Sequence, residues 1–162
     1  MVKEARARGL KAPVLLMGYY NPFLAYGLKS LMAACVASGV DGFIVCDLPP
    51  EEGVELIALS AEHGLSYVPL LTPTSTEERI ARLAASARRR PLYTSFLIWQ
   101  ATSFLYCVSI AGVTGARKDL PADLPAFIGR VRKHTPLPLA VGFGISTADH
   151  VDEVHGRWRG LL

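Results

Sequence analysis

This 162-residue chain has three cysteines and four histidines, and it is short of charge. Cys35, Cys46 and Cys107 lie far apart, form no CxxC pair and each sits in an apolar run. That argues against a disulfide scaffold or a zinc ribbon and fits a reduced, intracellular protein. His63, His134, His150 and His155 share no spacing and fall near helix ends or in the tail. All four are read as surface residues, so no metal site and no histidine-based nucleophile system is expected. Residues 1–11 carry charges with no apolar stretch behind them, so no signal peptide is expected. Charged residues make up 19% and hydrophobic residues 51%, a globular balance that excludes a disordered chain. The net charge of +3 rests on Arg88, Arg89, Arg90, Arg157 and Arg159. A basic excess confined to two short stretches is not a basic face, so no nucleic-acid partner is expected.

Short apolar runs alternate with helical patterns along most of the sequence. Strands are expected at 13–19, 42–48, 66–71, 103–109 and 138–145. Helices are expected at 24–38, stopped by Gly39, from Pro49 to His63, from Ser75 or Thr76 to Ala87, at 122–134, and from about Thr147. Glu78 stands three residues after Ser75, a capping-box spacing. Pro49, Pro50, Glu51 and Glu52 suit the free N–H groups and positive dipole end of a first helical turn. The strands are continuous apolar runs without polar alternation, as in parallel sheets covered on both faces. The residues thus predict an α/β protein, either a doubly wound open sheet or part of a (β/α)8 barrel.

Residues 88–102, RRRPLYTSFLIWQAT, interrupt this rhythm, because a connection between such units is normally only a few residues. The tetrapeptide Thr94–Leu97 recurs as Thr102–Leu105. No charge occurs from Pro91 to Ala116, long enough to span a bilayer behind the positive flank of Arg88–Arg90. Thr94, Ser95, Gln100, Thr102, Ser103 and Ser109 weigh against a membrane span. An extra surface helix or strand, or a segment foreign to the working protein, are the other readings.

Two glycine-rich turns follow consecutive strands: Ser109–Gly115, SIAGVTG, and Gly142–Ser146, GFGIS. Each can admit backbone N–H groups to an anion. Asp47 is the best carboxylate on the same rim, or else an Asp capping or turning into Pro49–Pro50. Tyr19, Tyr20 and Asn21 close the first strand, and Tyr106 lies within the fourth.

These segments, taken in order, resemble the tryptophan synthase alpha family, including the alpha domain of fungal-type fused enzymes. The resemblance rests on Leu16–Pro22 (LMGYYNP), Gly39–Gly42 (GVDG), Asp47–Glu52 (DLPPEE), Ser109 with Gly112–Gly115 (GVTG), and Gly142–Ser146 (GFGIS). It implies part of a (β/α)8 barrel in which about five parallel strands match family strands three to seven. It also implies retro-aldol cleavage of indole-3-glycerol phosphate to indole and glyceraldehyde 3-phosphate. Indole then passes to a beta subunit or fused beta domain that carries pyridoxal phosphate; the alpha domain itself uses no cofactor. The Asp47–Glu52 run argues against another phosphate-binding barrel, indole-3-glycerol phosphate synthase.

By this resemblance the family's catalytic Glu and Asp would lie before Met1, leaving no catalytic residue in this sequence. Tyr19, Ile44, Cys46, Tyr106, Thr114, Gly115, Phe143 and Gly144 match substrate-binding positions, and Ile110 stands where some members have Arg. The chain is then one incomplete barrel domain over residues 1–162, with an insertion at 88–102 and a divergent tail at 155–162. The activity expected is that of a soluble cytoplasmic lyase domain, with this chain alone inactive. The alternative is a non-catalytic fragment that binds a beta partner or a phosphate ligand. The insertion reads as an unspliced intron, or another gene-model error, translated in frame. Peptide mass spectrometry of the native product is expected to find no peptide spanning 88–102, and recovery at normal abundance would refute it.

Overall fold

The structure, a computed structural model, describes residues 1–49, 52–87, 104–109 and 120–157. They fall into two compact units, one ending at Val68 and the other starting at Pro69.

The first unit runs α1 (Val2–Ala7), β1 (Leu15–Gly18), α2 (Tyr20–Tyr26), α3 (Leu28–Ser38), β2 (Gly42–Val45), α4 (Val54–Glu62) and β3 (Ser66–Val68). Its sheet is parallel in the order β1-β2-β3, with Met17, Ile44 and Val68 in register across it. Side chains alternate along β2. Phe43 and Val45 join Leu28, Leu31, Met32, Cys35 and Leu56 in a core beneath the helices, and Phe23 meets Phe43 edge-on at 5.6 Å. Ile44 therefore faces the opposite side of the sheet.

The single helix expected at 24–38 is two. Gly27 adopts φ +87° and donates its N–H to the Leu24 carbonyl, which ends α2 before α3 begins. Nothing in the apolar pattern betrays the break, because a lone glycine is tolerated within a helical pattern. α4 starts at Val54, later than the expected Pro49, after a turn in which the Pro49 carbonyl accepts from Glu52 and Gly53. The expected first-turn residues Pro50 and Glu51 lie outside the described residues.

α1 was not expected. Arg6 ties it down: its guanidinium donates to the carbonyls of Gly39 (2.9 Å), Leu10 (2.9 Å) and Ala12 (2.7 Å) and to Asp41 Oδ2 (2.5 Å). The same Asp41 oxygen accepts the Val14 N–H at 2.6 Å. One arginine thus joins α1 to the turn after α3 and to the approach to β1.

The second unit runs β4 (Leu70–Leu71), α5 (Glu77–Ala87), β5 (Leu105–Val108), α6 (Leu124–Arg132), β6 (Leu139–Gly142) and α7 (Ala148–Arg157), with a parallel sheet β4-β5-β6. Leu71, Leu105, Cys107 and Leu139 pack with Ile80, Leu83, Phe127, Ile128 and Val131 under the helices. The strand expected over 66–71 is divided by Pro69, which has no N–H to give a ladder. Its carbonyl instead accepts the Tyr106 N–H at 3.1 Å, opening the pairing of β4 with β5.

Thr76 is the cap of α5, with its hydroxyl accepting the Arg79 N–H at 3.2 Å. Ser75 is buried and accepts the Thr72 N–H, so the Ser75–Glu78 spacing is not a capping box. The parallel α/β architecture is as expected, with six described strands where about five were anticipated. The insertion at 88–102 lies outside the described residues, as does the tail beyond 157.

Glu77 joins α5 to α6, accepting from Arg130 Nε at 2.8 Å and contacting His134 Nε2 at 2.6 Å. The hydrogen bond from Arg130, then that of His134, hold the Glu77 carboxyl below its ordinary 4.5. A lowered carboxyl pKa stabilises the fold above the unfolded value, and that stability is lost as pH falls through the folded one. Thermal melts are expected to lose stability below about pH 4.5, with a shallower acid limb in Glu77→Gln.

Candidate functional site

In α/β proteins of parallel strands, chemistry collects at the C-terminal ends of the strands. In the first unit those ends carry Tyr19, just past β1, and Cys46 and Asp47, just past β2. The Cys46 N–H bonds the Gly18 carbonyl at 2.9 Å, holding the two ends together. Asp47 Oδ1 accepts the Tyr20 N–H at 2.7 Å, so the rim carboxylate caps α2. A capping role was the plainer expectation for Asp47, though the helix it caps is α2 and not one opened by Pro49–Pro50, and the residue itself lies in the turn after β2. Tyr19 is 66% exposed, Ile44 is buried in mid-strand, and Cys46 is half-buried. Burial, then the Asp47 charge, push the Cys46 thiol up, so it is a poor nucleophile.

The second unit builds a tighter arrangement. Leu105 and Cys107 of β5 point to the core, so Tyr106 points to the other face of the sheet, where Gly142 of β6 lies beneath it. A Cβ on Gly142 would stand 1.7 Å from the Tyr106 oxygen and 2.4 Å from its Cζ, so only glycine admits this ring. Phe143 follows in the left-handed region at φ +67°, a conformation costing a non-glycine residue about 1–2 kcal/mol, and Gly144 follows at φ +74°. Two contacts hold the turn. The Ser109 hydroxyl donates to the Phe143 carbonyl, and the Tyr106 and Phe143 rings meet edge-on at 6.1 Å. Ser109 is itself buried, and its N–H bonds the Gly142 carbonyl at 2.9 Å.

Past this turn, Thr147 Oγ1 accepts the His150 N–H at 3.2 Å, and the Ser146 N–H donates to His150 Nδ1 at 3.3 Å. His150 is only 5% exposed, which corrects its reading as a surface residue. The imidazole sits one helical turn beyond Ser146, so its ring can reach back over the start of α7; the Ser-Thr-x-x-His spacing was the available signal. His63 is exposed, His134 is engaged with Glu77, and the side chain of His155 is outside those described. Thr114 and Gly115, with Ile110 and Gly112, also lie outside the described residues.

Among the described residues no group of His, Cys, Asp or Glu could hold a metal ion. Burial pushes the Cys107 thiol up to about 12. No described helix is long and apolar enough to cross a membrane, and most of the apolar run 91–116 lies outside the described residues. What the described face offers is a shaped, aromatic wall with backbone groups beside it and no paired acids.

The family profile described as tryptophan synthase alpha chain matches residues 1–160. The chain belongs to the tryptophan synthase alpha family. The tryptophan synthase alpha chain of Roseiflexus castenholzii is 52% identical over 149 residues, covering 92% of this chain and 52% of that protein. The tryptophan synthase of Saccharomyces cerevisiae is 41% identical over 155 residues, which cover 95% of this chain and 20% of that protein. Among solved structures, the tryptophan synthase a2b2 complex of Pyrococcus furiosus is 33% identical at a TM-score of 0.79, covering 99% of this chain and 58% of the matched one. The expected fold, part of a (β/α)8 barrel, stands on this similarity. The chain spans about half the length of the curated alpha chains it matches.

Gly142→Ala is expected to destabilise the protein by about 1–3 kcal/mol through overpacking against Tyr106. Combining it with Tyr106→Ala is expected to show a favourable coupling of about 0.5–3 kcal/mol in urea unfolding. Strict additivity would show that the ring does not stand over this glycine.

Proposed function

We propose that the chain contributes a substrate-binding wall to an indole-3-glycerol phosphate lyase of tryptophan biosynthesis. The reaction is a retro-aldol cleavage. The bond between indole C3 and the glycerol chain breaks as the adjacent hydroxyl loses its proton, C3 gains one, and glyceraldehyde 3-phosphate leaves. The observation that carries the reading is the Tyr106 ring of β5 reaching over Gly142 to meet Phe143, with Gly144 beyond it, at the C-terminal end of the adjacent parallel strand β6, in a chain of this family. The aromatic rings suit an indole, and the backbone around Gly144 suits the phosphate end.

Tyr19, Ile44 and Cys46 are assigned to the same substrate, as are Thr114 and Gly115 on the strength of the family resemblance. The reaction needs an acid and a base, and Asp47, the carboxylate at the end of β2, has one oxygen engaged by the Tyr20 N–H. The proton-transferring Glu and Asp belong, in this reading, to polypeptide outside this sequence. The alpha domain uses no cofactor. Indole passes to a beta subunit, or a fused beta domain, whose pyridoxal phosphate joins it to serine. The cytoplasm is the assigned compartment.

The test is indole release from indole-3-glycerol phosphate by the purified 162-residue chain. No turnover above background is expected. A rate near that of a full-length alpha chain would overturn the assignment of the acids to outside polypeptide.

A further inference from the structure

We propose that His150 is a positioning residue for the turn 143–146, a role that rests on the reading of that turn as the phosphate end of the substrate wall. Its imidazole Nδ1 accepts the Ser146 N–H at 3.3 Å, while its backbone N–H donates to Thr147 Oγ1 at 3.2 Å. The residue is 5% exposed and lies one helical turn before Val154, which is also buried, so the ring is on the core side of α7. A nitrogen that accepts a hydrogen bond carries no proton, so the ring in this arrangement is neutral with its proton on Nε2.

These bonds are not those of an ordinary helix start. In a capping box the hydroxyl of the capping residue takes the N–H three residues on, and the side chain at that third position returns to the capping residue's own N–H. Thr147 and His150 make the first of these bonds, which caps α7. The return bond from the imidazole passes over Thr147 and goes to Ser146, outside the helix. A buried side chain thus holds the loop before α7 in addition to the helix itself.

The opposite end of the same turn is held from β5. The Ser109 hydroxyl donates to the Phe143 carbonyl, and the Ser109 N–H donates to the Gly142 carbonyl at 2.9 Å. The chain passes through φ +67° at Phe143 and +74° at Gly144, backbone that a phenylalanine keeps only where its surroundings fix it. No described residue accepts the N–H of Gly144 or of Ile145. Two donors on a turn pinned at both ends are pre-set for a phosphate monoester, because little of the binding energy goes into ordering them. His150 acts on them through the Ser146 backbone, without contact of its own with the substrate.

The experiment uses the intact, isotope-labelled 162-residue chain with glycerol 3-phosphate as the probe. Nuclear magnetic resonance is expected to show a scalar coupling between the Ser146 N–H and His150 Nδ1, and shifts of the Gly144 and Ile145 amides as the probe is added. His150→Leu keeps apolar bulk without the acceptor. It is expected to speed exchange of the Ser146 amide by about tenfold or more and to weaken binding of the probe by about tenfold. His150→Asn puts an acceptor oxygen where Nδ1 stands and is expected to bind the probe like the unsubstituted chain, a rescue that restored bulk alone would not give. Should His150→Leu lose its circular dichroism signal, His150→Asn decides: binding supports the proposal and its loss overturns it. Absence of the coupling, undiminished binding by His150→Leu, or loss of binding in His150→Asn would each overturn the positioning role while leaving the phosphate reading intact. No shift at Gly144 and Ile145 in the unsubstituted chain would overturn that reading, and the proposal with it.

Discussion

Everything in this chain depends on parallel ladders between strands of two to four residues. Such strands have no stability of their own. Each is held by its neighbour's backbone and by the helices laid over one face. Two further devices fix the ends of the ladders. The Arg6–Asp41 pair gathers the carbonyls around the entry to β1 and β2, and the Ser109 bonds gather the exits of β5 and β6. Both devices are single polar side chains that bond to backbone carbonyls of neighbouring segments.

The parallel pairing was legible because its cause is compositional. A strand with no polar face, such as Gly42–Val45, is buried throughout, and the sequence shows only apolar residues there. The glycine-rich turn at Gly142–Ser146 was legible for a similar reason. Gly142 is demanded by Tyr106, and the left-handed turn that follows needs a residue like Gly144.

Other features were hidden because they arise from contacts distant in sequence. α1 fully buries no residue, sets Val2 against the core, and is held by Arg6 reaching Gly39 and Asp41. The division at Pro69 depends on which neighbour each half of residues 66–71 meets, although a proline inside an apolar run was a warning. The burial of His150 depends on a bond to the Ser146 N–H that composition does not display. The candidate site divides the same way: its shape was readable in glycines and aromatics, while the engagement of Asp47 with α2 was not.

That engagement has a consequence for the order of assembly. α2 has no side-chain cap from its own N-terminal residue, and its first-turn N–H is satisfied by a carboxylate 27 residues further along the chain. The first turn of this seven-residue helix therefore matures only after β2 has docked beside β1. A ribosome releasing the chain would deliver Tyr20 well before the group that completes its helix, so this corner waits for Asp47 to emerge 27 residues later.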